Sequence, residues 1–207
     1  MTKPLFAILL DGAFLTKRLY SKLDRHVTVD DIESECARLQ AIPQVQEYEL
    51  LRIYYYDASP SSEQVKLPVS KAAHNLGETE RFRRSESIYS QLVLRPYFSL
   101  RLGHVILSPN RWKMKPGVSR ELIKQPRHLD DDDFLLDISQ KGVDMRIGMD
   151  MARLALRAMV RAVIVVTGDS DFVPAFKFVR REGIKVFLEP MGTNPRQDLR
   201  AHADVVL

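Results

Sequence analysis

A chain of 207 residues, 45% hydrophobic and 28% charged, suits one globular domain with room for an insertion. Nothing in it approaches the roughly 20 apolar residues that span a bilayer, and the single cysteine, Cys36, excludes an internal disulfide framework and a cysteine-based zinc site. The expectation is a cytoplasmic protein with no membrane partner, whose net charge of +4 is by itself a weak pointer to polyanions.

In chain order, the first apolar run is Leu5–Leu10, too short for a secretory signal and ending at Asp11. Thr28, with Asp31 three residues on, opens a helix predicted near 28–41. Leu50–Tyr56 reads as a second strand and ends at Asp57; helices are predicted at 62–75 and 79–92. Gly103–Ser108 and Phe134–Ser139 read as two strands bracketing an irregular stretch. Further helices are expected at 144–160 and 171–182, the latter stopped by Gly183, with strands at Ala162–Val166 and Ile184–Leu188.

Alternating strands and helices imply parallel βαβ units with helices on both faces of a sheet, an α/β fold. Ligands of such sheets bind beyond the carboxyl ends of the strands. Asp11, Asp57 and Asp169 each follow a predicted strand, so parallel strands gather them on one edge. The most informative segment is Val163–Phe172, where a buried strand runs into Gly168 and presents Asp169 and Asp171 at a helix start. Two carboxylates two residues apart on a turn can face one hard divalent cation. Capping of the next helix by Asp169 or Ser170 accounts for one acid and leaves the second unexplained. In Gln140–Ala152, Asp144 opens a helix and Asp150 follows six residues later, rotated by about 120°. Asp144 is therefore the expected ligand, and Asp150 supports or packs.

From Arg101 to Arg127 there are seven basic residues against one acid, Glu121, followed by Asp130–Asp133. The whole chain, 1–207, reads as a single domain with a basic insertion at about 109–133. Within it Arg111, Lys113 and Lys115 are candidates for phosphate contacts, as is Lys141 beside the acids, although a solvated charged face explains each of them too. Trp112 is a candidate stacking ring, with packing as its competing role.

Three segments, Leu9-Leu10-Asp11-Gly12, Lys141-Gly142-Val143-Asp144 and Thr167-Gly168-Asp169-Ser170-Asp171-Phe172-Val173-Pro174, are similar to the motifs of the NYN domain family in its LabA-like branch, a group of PIN-like nucleases. Leu199-Arg200-Ala201-His202-Ala203-Asp204 resembles that family's closing motif, and 60–135 is the least matched part. The resemblance implies a three-layer α/β/α PIN-like, Rossmann-like fold with a central, mainly parallel sheet. It also implies endoribonuclease chemistry dependent on Mg²⁺ or Mn²⁺. Asp11, Asp144, Asp169 and Asp171 match the acidic cluster as catalytic and metal-binding residues. One departure is Phe14, where the family commonly has asparagine three residues after the first aspartate. It motivates an alternative: a catalytically weakened RNA-binding or regulatory protein. A haloacid-dehalogenase-like phosphatase would carry a second acid at position 13, which is Ala13. The expected partner is RNA, and a homodimer is entertained with no identifiable interface.

Overall fold

The computed structural model describes residues 2–207. Nine strands and seven helices are assigned among them. They are β1 Leu5–Asp11, α1 Gly12–Leu23, α2 Val29–Gln40, β2 Glu49–Ser59, β3 Gln64–Lys66, β4 Ala73–Asn75, α3 Glu80–Leu92 and β5 Phe98–Met114. The chain continues through α4 Val118–Lys124, β6 Phe134–Lys141, α5 Val143–Leu156, β7 Ala162–Val166, α6 Val173–Arg181, β8 Lys185–Glu189, α7 Gln197–Ala201 and β9 Val205–Val206. Seven strands form one sheet in the order β6-β5-β2-β1-β7-β8-β9, flanked by helices in an α/β/α arrangement. The pairs β2–β1, β1–β7, β7–β8 and β8–β9 are parallel, and β5–β6 is antiparallel.

The chain divides into two compact units. The first comprises Met1–Asp57, Ile88–Gly103 and Gly142–Leu207. Its central strands are covered on both faces, which is why β1 and β7 are unbroken apolar runs with every residue from Phe6 to Leu10 and from Ala162 to Val166 buried. Side chains alternate across the sheet. Phe6, Ile8, Leu10, Ile164 and Val166 join Leu15, Leu19, Ile32 and Leu39 of α1 and α2 in one core layer. The opposite layer includes α5, which packs on α6, and α6, which packs on β8. The capping box expected at Thr28 is present, Asp31 N–H bonding the Thr28 hydroxyl and Thr28 N–H bonding Asp31. Helix α1, absent from the sequence reading, begins directly after Asp11, whose carboxylate accepts the Phe14 N–H as its N-cap.

The second unit comprises Ala58–Ser87 and His104–Lys141. The helix expected at 62–75 is instead the antiparallel pair β3–β4. Pro68 removes a donor and clashes in any helix interior, Lys71 sits at φ +59°, and Leu67 N–H closes the turn onto Ala72 C=O at 2.9 Å. The stretch 109–133, read from sequence as a basic insertion, lies wholly within this unit. It starts inside β5, which bulges between Leu107 and Trp112, and it returns to β6 through α4. Asp131 accepts the Val69 and Ser70 N–H groups at 2.8 and 3.2 Å, and buried Asp133 receives the fork of Arg127. The acidic run Asp130–Asp133 thus has structural work inside this unit.

Candidate active site

Register aligns the carboxyl ends of the parallel strands. Asp11 closes β1 opposite Tyr56 of β2, and Leu10 pairs with Val166, the last residue of β7. Beyond Val166 the chain turns through Thr167 and Gly168 into Asp169 and a 3-10 turn at Ser170–Phe172. The connection from β6 ends at Gly142, left-handed at φ +78°, and puts Asp144 in the first turn of α5.

Thr167 holds this edge together. Its fully buried hydroxyl donates to Asp11 Oδ2 at 3.2 Å and accepts the Asp169 N–H at 3.1 Å, tying the tip of β1 to the turn after β7. Asp11 Oδ1 accepts the Phe14 N–H at 3.1 Å, and Asp169 Oδ1 accepts the Asp171 N–H at 2.9 Å. Asp169 therefore caps, as the sequence allowed, while Asp171 is left exposed with no capping role. Ser170 is half-buried, and its carbonyl accepts the Val173 N–H.

Two of the four carboxyl groups, Asp11 and Asp144, are raised by burial and by neighbouring acids. Burial raises Asp11 to about 6, against the two hydrogen bonds that favour its charge, and the charges of Asp144 and Asp57 push the same way. Asp144 is raised by burial and then by Asp169 and Asp171. Among the described residues, none of Asp11, Asp144, Asp169 and Asp171 pairs with a lysine or arginine, although thirteen ion pairs are formed elsewhere.

The donor set suits a hard cation: carboxylate oxygens only, with no histidine or cysteine. Among the described residues no three acidic, histidine or cysteine side chains close into a ready-made metal cage. Mg²⁺ does not require one, since it keeps several waters and uses one or two carboxylates. The chemistry of the donors, all carboxylate oxygens, is that of a hard cation such as Mg²⁺ or Mn²⁺.

The other sequence candidates lie as follows. Asp57 falls inside β2, two residues before its end, and receives the Tyr55 hydroxyl at 3.5 Å. Asp150 faces away from the cluster and accepts the Tyr56 hydroxyl and Arg101 Nε, both at 3.0 Å, so it packs α5 onto the sheet. Arg111, Lys113, Lys115 and Lys141 belong to the second unit. There Arg111 pairs with Glu63 at 3.4 Å and Lys113 with Asp137 at 2.9 Å, while Lys115 and Lys141 are exposed. The Trp112 indole N–H donates to Lys66 C=O at 2.8 Å, a packing role.

Two packing features shape the edge. A Cβ on Gly12 would stand 2.6 Å from the Tyr56 carbonyl and 2.7 Å from the Tyr55 ring. A Cβ on Gly168 would stand 2.8 Å from the Phe14 ring, so Phe14 lies against the turn that carries Asp169. Thr167 is the residue that sequence reasoning missed; its signal was one hydroxyl at the end of a run of valines.

The family model of the NYN domain matches residues 117–207. The matched segment contains Asp144, Asp169, Asp171 and the closing Leu199–Asp204 stretch, and it supports the NYN family for that part of the chain; Asp11 lies outside it. A crystal structure of a protein of unknown function from Vibrio parahaemolyticus is similar at a TM-score of 0.53 and 18% identity, over 99% of this chain and 92% of that one. At that identity the likeness shows the fold alone. No curated protein matches the chain. No helix among the described residues is long and apolar enough to cross a membrane.

Proposed function

We propose that this protein is a NYN-type nuclease of the LabA-like branch, an endoribonuclease dependent on Mg²⁺ or Mn²⁺. The observation that carries the reading is the gathering of Asp11, Asp144, Asp169 and Asp171 at one sheet edge with no basic partner among the described residues. Four crowded carboxylates without a cation repel one another, and a divalent ion relieves that repulsion while a phosphodiester is drawn to the same place. A bound Mg²⁺ or Mn²⁺ would polarise the scissile phosphate and lower the pKa of a water nucleophile.

The chain's own residues supply the frame. Asp169 and Asp171 offer carboxylates from one turn, Asp144 adds a third from the start of α5, and Asp11 a fourth from the end of β1. Thr167 fixes Asp11 relative to Asp169. Backbone donors at Phe14 and Asp171 orient Asp11 and Asp169; Asp169 keeps its second carboxylate oxygen for other partners, whereas Asp11 also accepts the Thr167 hydroxyl. The exposed cations Lys115 and Lys141 are proposed to contact RNA phosphates, with Arg111 and Lys113 contributing when their surface ion pairs yield. Such pairs are worth ~1 kcal/mol or less.

The alternative, an RNA-binding module with weakened catalysis, is favoured by one observation: position 14 holds a ring packed on Gly168 instead of a polar side chain. Purified protein incubated with labelled RNA and DNA in Mg²⁺, Mn²⁺ or EDTA separates the two. Metal-dependent cutting of RNA that is lost in Asp169→Asn is expected. Tight RNA binding without cutting in either metal would overturn the nuclease in favour of the binding module.

A further inference from the structure

The opposite end of the same sheet carries a second charged feature that the acidic edge does not use. A cavity of about 560 Å³ is lined by Lys177, Arg180 and Arg181 of α6, Gly183 and Ile184 of the following turn, Lys185 at the start of β8, and Asp204. Four of these seven residues are cationic and one is anionic. Asp204 is already engaged, accepting Arg180 Nε at 2.9 Å and the Val186 N–H at 2.8 Å. Lys177, Arg181 and Lys185 are exposed and form no ion pair among the described residues. Lys185 Nζ stands over the Phe187 ring at 5.4 Å. Arg161, also exposed, precedes β7 and accepts the Lys185 N–H through its carbonyl at 3.0 Å.

Compensation of the helix dipole accounts for Arg180 and Arg181 in the last turn of α6. It does not account for Lys177 a turn earlier, on the same face as Arg181, nor for Lys185 on the next strand. Glu182 lies between them in sequence and does not line the cavity. The one apolar side chain in the lining, Ile184, is buried, so no greasy group is offered for insertion into a lipid surface. Long, exposed cations spread over a helix face and an adjoining strand suit successive phosphates of a chain better than one enclosed anion.

We propose that this basic cavity is an anchoring site for the phosphodiester backbone of RNA, remote from the acidic edge. The two sites lie at opposite ends of β7, whose five residues span about 16 Å. A long RNA reaches both, and a short fragment held at the acids does not. The choice of RNA rests on the nuclease reading, whereas the preference for a polyphosphate rests on the cations alone.

The test is fluorescence anisotropy of a labelled single-stranded RNA in EDTA, over a salt series, with wild type and Lys177→Gln/Arg181→Gln/Lys185→Gln. Loss of three phosphate contacts makes the slope of log affinity against log salt shallower by about 2, at about 0.7 per contact on a single strand. At low salt the affinity is expected to fall at least about tenfold. Should the triple variant fail to fold, Lys185→Gln alone is expected to change the slope by about 0.7. Unchanged affinity and slope in a folded variant would overturn the proposal. So would sedimentation with phosphatidylserine vesicles in the absence of any RNA-dependent anisotropy. Because EDTA silences turnover, a protein that never cuts RNA would refute the nuclease and leave this result standing.

Discussion

Asp11→Asn isolates the electrostatic cost of the acidic edge. The carboxyl of Asp11 rises from 3.8 to about 6 in the fold, chiefly through burial, with Asp144 and Asp57 adding to it. The folded state therefore holds its proton more tightly than the unfolded chain, and between about pH 4 and pH 6 stability falls as pH rises. At ~1.36 kcal/mol for each tenfold change in acidity, the rise from 3.8 to about 6 corresponds to about 3 kcal/mol lost above pH 6. Asparagine caps α1 as well as aspartate does and carries no charge. Without metal, Asp11→Asn is expected to be up to about 3 kcal/mol more stable than wild type at pH 8 and about equal to it below pH 4. Added Mg²⁺ narrows or closes the gap: at a hundredfold excess over its dissociation constant it stabilises wild type by about 2.7 kcal/mol, and the variant by less. The assay is urea unfolding in EDTA or Mg²⁺, followed by far-UV circular dichroism or amide exchange in β1. Tryptophan fluorescence would mislead, since the only tryptophan, Trp112, lies in the other unit. Parallel pH profiles and equal responses to Mg²⁺ would refute the reasoning.

Thr167→Val keeps the shape of the buried side chain and deletes the hydroxyl shared by Asp11 and Asp169. Metal affinity or cleavage is expected to drop about 10–100-fold, read by titrating Mg²⁺ against cutting rate; wild-type behaviour would remove Thr167 from the site. In the second unit, Arg127 holds Asp133 down to about 2. A lowered carboxyl contributes stability above its unfolded value near 4 and loses it as pH falls toward about 2. Trp112 fluorescence is therefore expected to report loosening of this unit across that window, with a flatter acid profile in Asp133→Asn. An identical profile in the two proteins would show that the pair carries no acid sensitivity.

The strands β1, β7 and β8 were legible because burial on both faces leaves unbroken apolar runs bounded by polar turns. Helix α1 was not, because its cap is the site aspartate itself and its first residue is Gly12, a poor helix former. At 62–75 the helix reading passes over Val65, Leu67 and Val69, whose period-two spacing is that of a strand, and Pro68, which a helix interior does not tolerate. The placing of Asp11 and Asp169 on one edge was readable, since parallel strands deliver their carboxyl ends together. Counting residues round the helix separated Asp144 from Asp150, which the fold directs to Tyr56 and Arg101. The partners that orient the cluster were hidden, because a hydroxyl inside a valine run has no periodicity. The basic stretch was visible as charge, whereas its ion pairs with Glu63 and Asp137 depend on long-range pairing that charge counting does not see.

Gly12 bears on how this motif reads elsewhere. The Tyr56 carbonyl and the Tyr55 ring occupy the space that any side chain at position 12 would need. The glycine of the Asp-Gly pair is thus demanded by how β2 crowds the start of α1, whatever chemistry follows. A paralogue that has lost its carboxylates and its activity would still be compelled to keep that glycine. Its survival in a sequence is a record of close backbone packing and carries no information about the chemistry of the acids at 144, 169 and 171.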